Sequence, residues 1–310
     1  MLLPEPGPEK IIEAHKIISP FIELTPVIEK PDINAMVGGR VLFKCENLQK
    51  VKAFKARGAL YAVMKLKPEQ VARGVATHSS GNHAQALAYA ASLIPCKAFV
   101  VMPSNSSEVK KQGVKELGGE IFECEPGQEA REAMLREVVE KTGASFIPPF
   151  DHPDIIAGQG TAAREFLEIY PDLELLLTPV GGGGLLSGTS IWAKHFSNKI
   201  EVYGCEPREV DDAYRSFISG KVEKNDSGNQ TMADGLRTSL SELTLRIIRK
   251  NCAGIIRVSE PEIESARMLM EKHLGIPVEL SSAVPFAAML SKPEKFRGKT
   301  TGIIITGGNR

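Results

Sequence analysis

The chain has 310 residues, of which 42% are hydrophobic and 25% charged, a composition typical of a globular protein with a sizeable core. Its 38 basic and 38 acidic residues give a formal net charge of zero, which argues against nucleic acid or an anionic membrane as a partner. No apolar run approaches the ~20 residues needed to span a bilayer, and the five cysteines follow no disulfide or metal-binding spacing. This composition favours the reducing cytoplasm and excludes whole classes of protein, but it names no function.

Apolar runs typical of strands alternate with stretches of helical periodicity along the chain. We predict strands over residues 41–48, 74–79, 97–103, 120–125, 145–150, 173–180, 200–207 and 301–308, with helices over 83–94 and 129–143. This alternation predicts an α/β fold whose mostly parallel strands are buried on both faces. Eight strands are many for one open sheet, so the pattern favours two α/β layers.

Lys55 lies between Phe54 and Ala56, just before a predicted helix. A lysine at the edge of an apolar stretch can have a lowered pKa and can form an imine with an aldehyde. Most lysines are solvated surface residues, so for this segment alone the structural alternative stays open.

Residues 77–91 end a predicted strand in small polar residues and begin a helix near Asn82. Here Ser79, Ser80, Gly81, Asn82 and His83 bring hydroxyls, an amide and N–H groups to a helix N-terminus. Such a cluster suits a carboxylate. The alternative is an ordinary helix cap, with His83 as an incidental residue.

Four successive glycines, Gly181, Gly182, Gly183 and Gly184, separate a predicted strand from an apolar helix. Glycine lets backbone N–H groups approach a phosphate closely, and the helix N-terminus adds a positive partial charge. No lysine follows as in a Walker loop, and Ser187 stands where the Rossmann pattern needs a third glycine. We therefore predict a phosphate site that is not specific for ATP or NAD; a tight turn without a ligand is the alternative.

Together these segments resemble the fold-type II pyridoxal-phosphate enzymes, in particular the branch of serine racemases and serine/threonine dehydratases. The attachment pattern of that group matches at Glu46, Val51, 53–55 and 57–58, and further family segments match, in family order, at residues 78–83, 181–184, 232–236 and 306–309. The resemblance implies two open, twisted, mostly parallel α/β domains with the cofactor in the cleft between them. It also implies a large domain of residues 1–50 plus 150–310 and a small domain of residues 51–149.

The resemblance further implies roles around pyridoxal 5'-phosphate. Lys55 would carry the cofactor as an imine and, once freed, remove the Cα proton of the substrate. Asn82 would bind the ring hydroxyl, and Thr306 would face the pyridine nitrogen. The cofactor-binding residues implied are Lys55, Phe54, Asn82, Gly181, Gly182, Gly183, Gly184, Leu185, Gly235, Glu279 and Thr306.

The implied substrate-binding residues are Ser79, Ser80, Gly81, Asn82, His83, Arg131 and Thr238. Ser80 corresponds to the second proton carrier that racemisation requires, so Lys55 and Ser80 are the implied catalytic residues. Arg237 would add a second positive charge, which would favour a dicarboxylic substrate such as 3-hydroxyaspartate.

A metal site is also implied, because Glu206 and Asp212 match the acidic metal ligands of the eukaryotic-type serine racemases, with the Val210 carbonyl as a third oxygen. Oxygen ligands suit Mg²⁺ or Ca²⁺. The alternative is a solvated acidic helix start.

The predicted function is a pyridoxal-phosphate dehydratase that converts L-serine, L-threonine or 3-hydroxyaspartate into a 2-oxo acid and ammonia. Serine racemisation is the alternative within the family. A nucleotide-binding oxidoreductase and a non-catalytic α/β binding protein are alternatives of another class. The resemblance implies a homodimer that binds a small amino acid.

Overall fold

The computed structural model describes residues 3–79, 81–226, 228 and 230–309, so the predicted site residue Ser80 lies outside the described part of the chain. The described residues form ten strands: β1 (Val27–Glu29), β2 (Arg40–Cys45), β3 (Val75–His78), β4 (Ala98–Pro103), β5 (Glu120–Cys124), β6 (Ser145–Phe146), β7 (Leu175–Pro179), β8 (Glu201–Pro207), β9 (Gly254–Val258) and β10 (Thr300–Ile305). They also form fourteen α-helices: α1 (Pro8–Ile18), α2 (Pro31–Val37), α3 (Lys55–Met64), α4 (Pro68–Arg73), α5 (Asn82–Ser92), α6 (Glu108–Glu116), α7 (Gln128–Thr142), α8 (Pro153–Ile169), α9 (Gly184–Phe196), α10 (Asp212–Ser219), α11 (Glu242–Asn251), α12 (Glu260–Leu274), α13 (Leu280–Ser291) and α14 (Pro293–Phe296). None of these helices is both long and apolar enough to cross a bilayer.

The strands form two sheets. The larger has the order β1-β2-β10-β7-β8-β9, and the smaller has the order β5-β4-β3-β6. Every pair is parallel except β1 with β2. The predicted α/β class is confirmed, and each of the eight predicted strands is present, whereas β1 and β9 were not predicted.

The larger sheet joins the beginning of the chain to its later half, because β2 pairs with β10 along its whole length. The smaller sheet consists of strands between residues 75 and 146. The domain boundaries at residues 50 and 150 remain a prediction.

Side chains on the larger sheet alternate between two cores. Leu42 faces a core shared with α8 and α9, whereas its neighbours Val41 and Phe43 face a second core shared with α12 and α13. This period of two is that of a strand whose faces are both covered. The helical layers therefore leave the ends of the strands as the accessible part of the sheet.

Helix α3 connects the two sheets, because it packs against α5 on one side and α8 on the other. The crossing with α8 is close: a Cβ added at Gly58 would lie 2.9 Å from the Ile155 carbonyl oxygen, and one added at Gly158 would lie 2.6 Å from the Gly58 Cα. Since only glycine permits this approach, the helix that begins with Lys55 is fixed closely against α8.

A buried ion-pair network holds α3 in place through Arg57. The Arg57 guanidinium donates to both carboxylate oxygens of Glu46, at 2.7 and 2.8 Å, and to both of Glu165, at 2.7 Å each. Lys44 Nζ donates to Glu165 at 2.7 Å. Although burial opposes the ionisation of Glu46, the Arg57 guanidinium holds its pKa below the usual value. Two cations thus balance two carboxylates where an unpaired charge would be costly.

Candidate active site

The candidate site lies at the carboxyl ends of the parallel strands. Residues 79–82 follow β3, residues 181–184 follow β7, and residues 306–309 follow β10. Ligands of open α/β sheets bind outside the carboxyl ends of the strands. The first and third of these segments meet, because the side chains of Asn82 and Asn309 are hydrogen-bonded to each other.

The turn before Lys55 is strained and is braced by the segment after β10. Val51 and Lys52 both have a φ of 52°, which is unusual for a residue with a side chain and especially for a β-branched one. Asn309 Nδ2 donates to the Val51 carbonyl at 2.8 Å, and the Gly308 N–H donates to that of Lys52 at 3.0 Å. Strain of this kind persists where the surroundings impose it, and here it sets the start of α3.

The Lys55 ammonium has no carboxylate in hydrogen-bonding range among the described residues. Its Nζ donates to the Pro149 carbonyl at 2.7 Å and lies 5.1 Å from the centre of the Phe54 ring. Burial of the ammonium lowers the pKa of Lys55 to about 8, against a smaller opposing effect of the Glu279 carboxylate. A larger fraction of Lys55 is therefore the free, nucleophilic amine near neutral pH than of an exposed lysine.

Asn82, Glu279 and Asn309 form a polar chain between the sheets. Asn82 Nδ2 lies 3.3 Å from each carboxylate oxygen of Glu279, and Asn309 Nδ2 donates to Asn82 Oδ1 at 2.9 Å. Burial raises the pKa of Glu279 to about 7, with the Asn82 hydrogen bond opposing the rise. This chain of contacts brings together the predicted residues Asn82 and Glu279.

The tetraglycine loop offers backbone donors. Among the described residues, no acceptor is bound to the N–H groups of Gly181, Gly182 or Gly183. A Cβ at Gly182 would overlap the Phe150 ring, and Gly183 has a φ of 84°. Leu185 lies in the first turn of α9, where N–H groups lack intrahelical acceptors. The loop therefore fits an anion such as a phosphate.

Thr306 and Gly235 flank the same region. The buried Thr306 Oγ1 lies 2.8 Å from Ser282 Oγ, which also accepts from the Gly307 N–H at 2.8 Å. The Gly235 N–H donates to Ser281 Oγ at 3.0 Å. The hydroxyl of Thr306 thus faces a second hydroxyl, so this position offers a neutral hydrogen-bonding group.

The polar side chains of the segment after β3 point in different directions. Ser79 Oγ accepts from the Gly81 N–H at 3.3 Å, at the start of α5. His83 turns inward instead: its Nε2 donates to the Ile147 carbonyl at 3.0 Å, and burial lowers its pKa to about 3. His83 is therefore neutral, and its contact with a substrate carboxylate stays a prediction.

Three residues that the resemblance implies near the substrate make none of the contacts described above. Arg131, on α7, donates to Gly127 and Gln128 of its own first turn, at 3.2 and 3.1 Å. Thr238 is exposed, and Arg237 donates to the Thr231 carbonyl at 2.9 Å. Their roles toward a substrate stay predictions.

Glu206 and Asp212 are close enough for repulsion between their carboxylates. Glu206 accepts from the N–H groups of Ala213 and Tyr214, at 3.0 and 2.6 Å, and Asp212 accepts from Asn225 and from the Leu240 N–H at 3.3 Å. Burial, with the nearby Asp212 charge, raises the pKa of Glu206 well above its usual value. Burial also raises the pKa of Asp212 to about 6.

Oxygen atoms from these two carboxylates suit a divalent cation, which would relieve their repulsion. The buried Val210 lies between them in the sequence. Within the described residues no cluster of three or more His, Cys, Asp or Glu side chains has the geometry of a metal site. A site here would therefore depend on backbone oxygens or water beside the two carboxylates.

Sequence reasoning did not single out several groups of the site. Pro149 accepts from Lys55, Ser282 contacts Thr306, and Phe150 packs on the tetraglycine loop. Lys110 Nζ, on α6, also lies 2.9 Å from Asp234 Oδ2. These contacts join residues distant in the sequence, so no local pattern could have indicated them.

Comparisons with known proteins agree with this geometry. The family model described as pyridoxal-phosphate dependent enzyme matches residues 18–307. The chain is 44% identical over 306 residues to the beta-hydroxyaspartate dehydratase of Paracoccus denitrificans, covering 98% of this chain and 96% of the relative. It is 45% identical over 302 residues to the serine racemase of Dictyostelium discoideum, covering 96% and 93%. A crystal structure of serine racemase from Dictyostelium discoideum superposes with a TM-score of 0.94, at 44% identity, covering 98% of this chain and 99% of that one.

Proposed function

The chain belongs to the pyridoxal-phosphate dependent enzymes of fold-type II, and we propose that it converts a β-hydroxy amino acid into a 2-oxo acid and ammonia by α,β-elimination. The observation that carries the proposal is the buried Lys55 amine, which donates to the Pro149 carbonyl at 2.7 Å and has no carboxylate in hydrogen-bonding range among the described residues. Its burial also lowers its pKa to about 8. The family match argues against the nucleotide-binding oxidoreductase and the non-catalytic binding protein.

The residues present fit the cofactor. The N–H groups of the tetraglycine loop lack acceptors among the described residues, and the Lys55 amine is free of a carboxylate partner there. In our proposal Gly181–Gly184 and Leu185 bind the phosphate, Asn82 binds the ring hydroxyl, and Phe54, Gly235 and Glu279 enclose the ring. When bound, pyridoxal phosphate supplies an aldehyde that condenses with amines and a conjugated ring that delocalises negative charge from Cα.

Lys55 has two tasks in this proposal. It holds the cofactor covalently, and, once a substrate amine takes its place, its Nζ accepts the Cα proton. Its lowered pKa suits this exchange, because a base near neutral pKa is effective at neutral pH. Ser79, Gly81 and the first turn of α5 bind the substrate carboxylate through donors at a helix N-terminus.

Thr306 tunes the reaction. Its hydroxyl would be the partner of the ring nitrogen, and a neutral hydroxyl would stabilise a positive charge there less than a carboxylate would. A weaker electron sink would favour prompt loss of the β-hydroxyl, which takes up a proton and leaves as water. The released enamine tautomerises to an imine, which takes up one water and yields the 2-oxo acid and ammonia, so that one water is lost and one is gained.

Serine racemisation is the second candidate, favoured by the 45% identity to a serine racemase. It requires a proton donor on the face opposite Lys55, for which the sequence offers Ser80, outside the described residues. Both reactions begin with removal of the Cα proton. They differ in whether the β-hydroxyl then leaves or a proton returns to Cα from the opposite face.

Proton NMR of the reconstituted enzyme in D₂O decides between them, with L-serine, L-threonine and L-threo-3-hydroxyaspartate in parallel. Release of a 2-oxo acid supports the dehydratase. Deuterium at Cα together with D-serine and no 2-oxo acid would make the protein a racemase. A colourless protein that neither binds the cofactor nor exchanges the Cα proton would contradict both.

We also propose a divalent cation, Mg²⁺ or Ca²⁺, held by Glu206, Asp212 and the Val210 carbonyl. The raised pKa values of both carboxyl groups support this site, because buried like charges call for a counter-ion.

We further propose a cytoplasmic homodimer whose large and small domains divide as the sequence predicts. Sedimentation analysis tests the homodimer, and limited proteolysis tests the division into domains.

A further inference from the structure

Three consecutive residues, 149–151, lie between β6 of the smaller sheet and α8, in a stretch that forms neither helix nor strand. The carbonyl of Pro149 accepts from Lys55 Nζ at 2.7 Å. The ring of Phe150 packs so closely on the tetraglycine loop that a Cβ at Gly182 would overlap it. One irregular segment thus contacts both the reactive amine and the proposed phosphate loop, so its position affects both.

Asp151, the third residue of this segment, is held by a hydroxyl from the start of α11. Its Oδ1 accepts from Ser241 Oγ at 2.7 Å, a length typical of a hydroxyl that donates to a carboxylate. No lysine or arginine among the described residues forms an ion pair with the Asp151 carboxylate. Because the contact joins positions 90 residues apart, it restrains the segment where the local backbone has no regular hydrogen bonding.

The Ser241 hydroxyl is itself oriented by the start of α11. It accepts from the Thr244 N–H at 3.2 Å, while Thr244 Oγ1 accepts from the Ser241 N–H at 3.0 Å, which completes a capping box. The hydroxyl proton is then available for Asp151. The preceding Leu240 packs on the tetraglycine loop, because a Cβ at Gly183 would lie 2.7 Å from its Cδ2. The start of α11 therefore contacts this loop directly as well as through Asp151.

We propose that the hydrogen bond between Ser241 and Asp151 is a positioning contact for the cofactor. It holds the segment so that the Pro149 carbonyl orients the Lys55 amine while Phe150 shapes the tetraglycine loop for the phosphate. The inference rests on the cofactor residues of the proposed function, and it adds two residues that act through their neighbours. It applies to elimination and racemisation alike, because both need the same bound cofactor.

The test measures the affinity of the apoprotein for pyridoxal 5'-phosphate by absorbance, with borohydride reduction to confirm attachment at Lys55. Ser241→Ala and Asp151→Ala each weaken this affinity about tenfold or more, as expected when a hydrogen bond to a charged group is lost. The double variant loses little more than either single variant, because both changes remove the same contact. Ser241→Thr and Asp151→Asn recover most of the affinity, since they keep a hydroxyl donor and an oxygen acceptor.

A matched cap elsewhere separates positioning from a loss of helix stability. Ser259 caps α12 through a capping box with Glu262, as Ser241 caps α11. Ser259→Ala removes a comparable cap and leaves the affinity for pyridoxal 5'-phosphate within about twofold of the wild type. Urea unfolding compares the stability lost in the two serine variants, and Asp151→Ala tests the contact with the cap of α11 intact.

Two results would overturn the positioning role. One is a pair of single variants that bind the cofactor as tightly as the wild type. The other is a pair of losses, in Ser241→Ala and Asp151→Ala, that simply add in the double variant. A wild-type protein that binds no pyridoxal 5'-phosphate would instead refute the proposed cofactor site itself, so the two failures are distinguishable.

Discussion

Asn82 and Glu279 face each other across the two sheets, with Asn82 Nδ2 3.3 Å from both carboxylate oxygens of Glu279. Asn82 begins α5 of the smaller layer, and Glu279 precedes α13 of the larger one. An amide donor that contacts both oxygens favours the ionised carboxylate, whereas burial favours the neutral acid. The balance leaves the pKa of Glu279 at about 7, near neutral pH.

Replacement of Lys55 by alanine abolishes turnover, with a loss of at least ~10³-fold, because both the covalent attachment and the proton acceptor are removed. In the wild-type apoprotein, the rate of cofactor attachment rises with pH through about 8, where the Lys55 amine becomes free. Absorption spectra before and after borohydride reduction measure the attachment. Lys16→Ala, at an exposed position of α1, serves as the control; a Lys55→Ala enzyme of undiminished rate would falsify the mechanism.

Glu279 makes the apoprotein lose stability as pH rises. Its pKa is raised from 4.5 in the unfolded chain to about 7 in the folded one, so the folded state binds the proton more tightly. The stabilisation is complete below about pH 4.5 and is lost as pH rises through 7. Relative to Glu279→Gln, the wild type should lose at most roughly 3 kcal/mol of unfolding free energy between pH 4.5 and 8. Urea unfolding of both proteins across that range measures the difference; parallel pH profiles would show that Glu279 is not buried as an acid.

Added Mg²⁺ or Ca²⁺ should raise the Tm, since a ligand bound only by the folded state stabilises it by about 2.7 kcal/mol at one hundred times its Kd. The effect should disappear in Asp212→Asn and persist in Asp226→Asn, a nearby exposed carboxylate. It should also fade as pH drops below about 6, where the Asp212 carboxyl takes up a proton. Calorimetric scans with and without chelator provide the readout, and a Tm indifferent to both ions would rule out this site.

Removing the buried guanidinium should be far more damaging than removing an exposed one. Arg57→Leu leaves Glu46 and Glu165 with Lys44 as their remaining cation, and breaking such a buried pair costs about 3–5 kcal/mol. The same change at Arg40, whose ion pairs are exposed, should cost less than about 1 kcal/mol. Denaturant unfolding compares the two variants; similar losses would mean that the network is not a principal anchor of α3.

The sequence was most informative where function depends on short local patterns. Lys55 with its flanking residues, the polar cap before α5 and the tetraglycine loop each lie within a few residues, so motif and chemistry indicate them together. The strands could be predicted because parallel strands buried on both faces are continuous apolar runs. The short edge strands β1 and β9 were missed, because β1 has three residues and neither strand is fully buried.

Contacts between distant residues could not be predicted in this way. The Lys110–Asp234 pair and the contact between Ser282 and Thr306 depend on how the two sheets are placed. His83 shows a related limit: the sequence places it at a helix start, but the contact of its ring with the Ile147 carbonyl in the interior has no local signal. Burial, which decides its charge, is a tertiary property.

The brace formed by Asn309 has a consequence for biosynthesis. Its amide holds the turn at Val51, 258 positions earlier in the chain, and also contacts Asn82. A nascent chain on the ribosome therefore carries Lys55 long before the lysine can be presented in its working geometry. Capture of the cofactor is expected only after translation has passed Asn309, which keeps an aldehyde-reactive amine from being assembled on a half-made protein.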